Sequence, residues 1–262
     1  HIEVLRYLEE KILSKENLQA MRKEYDYRAF HYAAANGHIE VLRYLEEKIL
    51  SKENLQVMIQ RDNYAVFRDA AVTGHVDVLR YLAEKILPKE NMQDIIKADN
   101  YAAFRDAARN DHIDVLKYLA DEAPNYLQDM MKADNYAAFR HAARNDRIDA
   151  LKYLADKAPN DLQDMIKANN YQAFNYAAAN CHIDVLLYLE GKILPKENLQ
   201  DMIKANNYAV FRNAVKSNHI AVLKYLVEKV FPKENLQHII KEDNYAVFRD
   251  AAEYGHSSVL NF

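Results

Sequence analysis

The chain is short of the residues that punctuate most folds. Its 262 residues include 4 Gly, 5 Pro, one Cys and no Trp. So little glycine leaves few places for tight turns, positive-φ bulges or phosphate-cradling loops, which argues against a β-rich barrel, a P-loop or a dinucleotide fingerprint. A single cysteine, Cys181, rules out an intrachain disulfide and a cysteine-rich zinc site. An excess of one charge is missing too. Thirty-five basic against 39 acidic residues leave a net charge of −4, which offers no electrostatic footprint for nucleic acid. No apolar run approaches the ~20 residues of a membrane span. The sequence opens at His1 without a methionine or signal-peptide pattern, as expected of a piece excised from a longer protein.

What is present is repetition. The word Tyr-x-x-Phe begins at Tyr27, Tyr64, Tyr101, Tyr136, Tyr171, Tyr208 and Tyr245, at successive spacings of 37, 37, 35, 35, 37 and 37 residues. A histidine column runs through His1, His38, His75, His112, His182, His219 and His256, with Arg147 in its one gap. No linker interrupts the register, so residues 1–262 are expected to form a single array that begins and ends within a repeat.

The unit from Asn63 to Asp99 reads as three helical pieces. In the first, Tyr64, Phe67, Ala70 and Ala71 share one face of a 3.6-residue helix. Gly74 is placed to end it in a left-handed conformation. The second, from His75 to Ile86, offers Val76, Leu79, Leu82 and Ile86 for burial, with Val78 and Tyr81 widening the stripe. So broad a face needs neighbours on two sides, which stacked repeats supply. The third starts at Pro88 and has only Met92, Ile95 and Ile96 to bury, too few to stand alone. Two units, at Ala123 and Ala158, contract Leu-Pro-Lys-Glu-Asn to Ala-Pro-Asn, which predicts a deletion between the second and third pieces and a change of local curvature there.

The stretch from Ala70 to Leu82, Ala-Ala-Val-Thr-Gly-His-Val-Asp-Val-Leu-Arg-Tyr-Leu, resembles the core of an ankyrin repeat. The word returns through essentially the whole chain, with Asp111 or Asp146 in place of the glycine. The family's Thr-Pro-Leu-His opening is replaced by words such as Ala65-Val66-Phe67-Arg68. The resemblance implies an all-α, ankyrin-like α-solenoid of about seven 35–37-residue repeats, with the hairpin fingers replaced by a short third helix. The Asn-Tyr-x-x-Phe-Arg variant, with the run Met202 to Asn207, is similar to ankyrin proteins of intracellular bacterial pathogens, many of which are delivered into a host cell.

Each column that invites chemistry has a plainer explanation. One His per repeat matches the structural histidine of the ankyrin family, and units spaced ~10 Å apart cannot bring two nitrogens to the ~2 Å that Zn²⁺ requires. No metal site and no cofactor is expected. Cys181 precedes a histidine, but sequence adjacency does not orient a base; it is expected to be a surface variant. Arg68, Arg105, Arg140, Arg212 and Arg249 could form an anion-binding ladder. Following Asp69, Asp106 and Asp250 favour local compensation and hydrogen bonds to a neighbouring repeat instead. The tyrosines fall on the packed face rather than forming a nucleic-acid stacking platform. Asp77, Asp114, Asp149 and Asp184 should line up as a solvated row. A chain that repeats one statement offers no unique catalytic pocket, so no enzyme activity is expected.

Positions free of packing constraint can differ between units. Five residues after each repeat tyrosine stand Tyr32, Asp69, Asp106, His141, Tyr176, Asn213 and Asp250; eight after stand Ala35, Val72, Arg109, Arg144, Ala179, Lys216 and Glu253. By resemblance these first-helix positions line the concave surface. The expected function is non-catalytic recognition of a protein with an acidic segment, centred on Arg109, His141, Arg144 and Tyr176, since Arg and Tyr are enriched at interface hot spots. A cytoplasmic monomer is expected; the resemblance alone implies an effector secreted into a host cell and acting on host proteins. Neither nucleic acid nor membrane is an expected partner. Two rivals stay open: the targeting arm of an enzyme whose catalytic domain lies elsewhere, and a structural spacer or self-assembling array.

Overall fold

A computed structural model of the chain describes residues 3–4, 6–7, 25–48, 51–88, 91–192, 208–230, 241 and 245–260. They fall in two compact units, His1–Ala133 and Asp134–Phe262. Among the described residues all regular structure is helical. The expected run Met202 to Asn207 lies outside them.

In the first unit, Tyr25–Ala35 and Ala65–Val72 are first helices, and Ile39–Lys48, Val76–Tyr81 and Ile113–Glu122 are second helices. The second unit repeats the scheme with Ile148–Lys157, Leu162–Ala179, Ile183–Lys192, Ala209–Lys216, Ile220–Tyr225 and Ala246–Glu253. Burial explains the stacking. Phe30, Phe67 and Phe104 are buried in the first unit, and Phe139, Phe174 and Phe211 in the second. Alanine pairs such as Ala70–Ala71 and Ala177–Ala178, also buried, let neighbouring first helices approach closely. Second helices supply Val78, Leu79, Leu82 and Ile86 to the core. Val76, expected there too, is only half-buried, because its helix begins at that residue.

Left-handed residues end each first helix. Gly37 (φ 72°) and Gly74 (φ 80°) do so as expected, and Asp111, Asp146, Cys181 and Asn218 adopt the same conformation at φ 56–66°. Cys181 is therefore no arbitrary surface variant. It is half-buried in a backbone position that glycine suits best. The turn lets the next histidine's N–H reach back to the helix, as His75 does to Ala70 O at 2.9 Å and His182 to Ala177 O at 2.8 Å.

A second left-handed device joins repeats. Met92–Arg109 is two helices in sequence: Ala98 is extended, and Asp99, Asn100 and Tyr101 stand at φ 50°, 57° and 60°. Leu162–Ala179 breaks the same way at Asn169, Asn170 and Tyr171, and Leu127–Arg144 at Asp134, Asn135 and Tyr136. Asn and Asp tolerate this region better than other side chains. Third helices thus run into the next repeat's first helix through a left-handed Asp/Asn-Asn-Tyr turn.

The two repeat lengths have a structural origin. Seven residues take Tyr81 to Pro88, whereas six take Tyr118 to Pro124. The extra one is absorbed as a π-helical turn, Leu82–Ile86, closed by Leu87 N–H to Leu82 O at 2.8 Å. A single inserted residue is the usual origin of such a turn. The other π-turn among the described residues, Leu226–Val230, also belongs to a 37-residue unit. The short units instead enter a 3₁₀ turn directly, at Pro124–Tyr126 and Pro159–Asp161. So half of the predicted deletion lies inside the second helix and half after the proline.

Candidate recognition surfaces

The histidine column ties one repeat to the next. His112 Nε2 donates to Val72 O at 2.9 Å in the first unit; His182 donates to Arg144 O at 2.9 Å, and His256 to Lys216 O at 2.8 Å, in the second. Each acceptor is the residue eight positions after a repeat tyrosine. The backbone carrying the variable side chain is thereby held by the following repeat.

The Phe-Arg column turns inward. Arg140, 5% exposed, donates from Nε to Asn135 O at 3.0 Å and from Nη2 to Asp134 O at 2.6 Å, and it also meets Gln172 of the next repeat. Arg105 Nη2 donates to Asp99 O at 2.9 Å, and Arg68 bonds to Asp99. Where Arg gives way to Asn175, its amide takes the same role towards Asn170 O at 3.1 Å. Arg105 and Arg140 satisfy carbonyls of the left-handed turns and Arg68 pairs with the Asp99 carboxylate, rather than offering an anion ladder. The tyrosines likewise pack: Tyr64, Tyr81, Tyr118, Tyr208 and Tyr225 are buried.

The predicted partner-binding residues divide between the units. In the first, Tyr32 is 67% exposed and Arg109 is exposed, while Asp106 is half-buried. Asp69 accepts from His31 Nε2 at 2.8 Å, so its carboxylate is engaged within the array. In the second, Arg144 lies with Cζ 5.0 Å from the centre of the Tyr176 ring, a cation–π contact. The Tyr176 hydroxyl accepts from Gln172 Nε2 at 2.8 Å. His141 and Asn213 are half-buried on their first helices. The same diagonal link recurs as Lys216 Nζ to Asp250 at 3.6 Å. The structure therefore joins Arg144 to Tyr176, while among the described residues no hydrogen bond or ion pair joins Asn213 to either.

A second feature escaped the sequence. In the first unit an open groove of about 890 Å³ lies between the second helices Val76–Tyr81 and Ile113–Glu122, floored by Leu87, Pro88 and Met92. Its only sequence signal is the change of repeat length between Asn63 and Tyr136. Among the described residues, no group of three or more His, Cys, Asp or Glu side chains could hold a metal ion, and no helix is long and apolar enough to cross a membrane.

Residues 105–201 match the family model for ankyrin repeats in three copies. A solved structure similar to this chain is that of an ankyrin repeat family protein from Legionella pneumophila, at 23% identity and a TM-score of 0.49, covering 95% of this chain and 74% of that one. No curated protein matches the sequence.

Proposed function

We propose, from the premise that residues 105–201 are ankyrin repeats, that the whole chain is one repeat array serving as a non-catalytic recognition module. Ankyrin repeats are in general protein–protein interaction modules, and the finer reading concerns where the partner sits and what it carries. The observation behind it is the Arg144–Tyr176 pair: an exposed guanidinium over an aromatic ring, on backbone pinned through His182. A preorganised cation and ring suit an acidic segment, because little side-chain entropy is lost on binding. The sequence resemblance to pathogen ankyrin proteins extends this to an effector that meets host proteins.

The test is affinity capture from eukaryotic lysate, with the wild type beside Arg144→Glu/Tyr176→Ala matched for thermal stability. A protein retained by the first and lost by the second is the expected outcome. Equal capture by both places the contact elsewhere, and no specific capture returns weight to a spacer.

A further inference from the structure

The groove of the first unit arises where a long repeat stacks on a short one. Between two long units, at Ile39, Arg43, Asp77 and Tyr81, the corresponding depression holds about 320 Å³. Next along, a 35-residue unit stacks beside the π-turn that holds Ala83 and Glu84. The depression there widens to about 890 Å³ and is lined by the half-buried Pro88 and Met92, with Leu87 buried beneath them. That volume is in the range of sites that take peptide side chains or small ligands.

Its lining is acidic, with Glu84, Asp114, Asp121 and Glu122 against Arg80 and Lys117. Lys117 Nζ is 3.7 Å from Asp114, and Arg80 Cζ sits 5.7 Å from the centre of the Tyr118 ring. Glu84, Asp121 and Glu122 are exposed and make no ion pair with a described residue. Burial raises the Tyr118 hydroxyl far above the ordinary range; Glu122 adds to that, Arg80 opposes it and Glu84 adds a little more. An apolar floor under unpaired carboxylates is complementary to one kind of occupant.

We infer that this groove is a second docking surface, distinct from the first-helix face, that accepts a basic segment of a partner protein: an apolar anchor on Leu87, Pro88 and Met92, flanked by Lys or Arg meeting Glu84, Asp121 and Glu122.

The test uses a fluorescein-labelled peptide, Lys-Arg-Leu-Phe-Arg-Lys, and fluorescence anisotropy on the full chain. Wild type is expected to bind, more weakly as salt rises. Glu84→Lys/Asp121→Lys/Glu122→Lys should weaken binding by about tenfold or more. Asp156→Lys/Asp164→Lys/Asp184→Lys, which makes the same charge change in the other unit, should leave it unaltered. Ala83→Trp places a bulky side chain in the groove lining without touching charge and is expected to abolish binding, which keeps the test open if the triple variant misfolds. Absence of wild-type binding, equal loss in the control, or binding retained by Ala83→Trp would each overturn the inference. Arg144→Glu/Tyr176→Ala should bind this probe normally, so failure here is separable from failure of the first-helix reading.

Discussion

At the scale of single residues, the position after each first helix shows how backbone geometry governs a column that looks arbitrary. A Cβ at Gly74 would lie 2.5 Å from His112 Nδ1, in a left-handed backbone at φ 80°. Gly74→Ala therefore combines a clash with strain and is expected to cost about 2 kcal/mol or more, read as a fall in the urea midpoint at constant slope. The reverse applies at Cys181, a side-chain-bearing residue at φ 63°. Cys181→Gly relieves about 1–2 kcal/mol of left-handed strain. The added freedom of the unfolded chain offsets part of that, so a net gain of about 0.5–1 kcal/mol is expected. The column of Gly, Asp, Cys and Asn was visible in the sequence. Its cause was not, because φ is a property of the turn and not of residue type. The Arg144–Tyr176 contact was half legible for a similar reason: both residues departed from their columns, but their diagonal meeting depends on how one first helix packs on the next.

Elements were legible where periodicity carries them and obscure where it is broken. The 3.6-residue pattern marked the first and second helices, and the 37- and 35-residue spacings marked the units. A π-turn hides from such counting, since one extra residue shifts the stripe without ending the helix. The left-handed Asp/Asn-Asn-Tyr turn hides as well, because its carbonyls are satisfied by an arginine several residues downstream. That dependence makes Arg140 a test of the element. Arg140→Leu removes the buried guanidinium that donates to Asp134 O and Asn135 O. A cost of about 2–3 kcal/mol is expected in chemical denaturation, while Arg140→Lys should fall between the two, since one ammonium lacks the planar fork. If Arg140→Leu unfolds at the wild-type midpoint, the arginine does not hold the turn.

At the scale of the whole molecule, tyrosine hydroxyls bonded to carboxylates set a limit on the pH the fold withstands. Tyr27 donates to Asp62 at 3.2 Å and Tyr81 bonds to Glu46 in the first unit; Tyr225 donates to Glu190 at 3.0 Å in the second. Burial first, then these carboxylates, raises the hydroxyls of Tyr27, Tyr81 and Tyr225 well above their ordinary 10.0, and burial and Glu122 raise Tyr118. A phenol favoured in its neutral form by folding holds a proton that the unfolded chain releases. The folded state then binds more protons above about pH 10, and stability falls as pH rises there. Below that pH the contribution is fully present. The urea midpoint should therefore be unaffected by these four groups from neutrality to about pH 9 and drop steeply above about pH 10. Their phenolate absorbance should appear together with the loss of helical circular dichroism rather than before it. Phenolate absorbance from these four groups while the helical signal stays intact would mean that the tyrosines ionise within the fold, and that the packed repeats admit the charge.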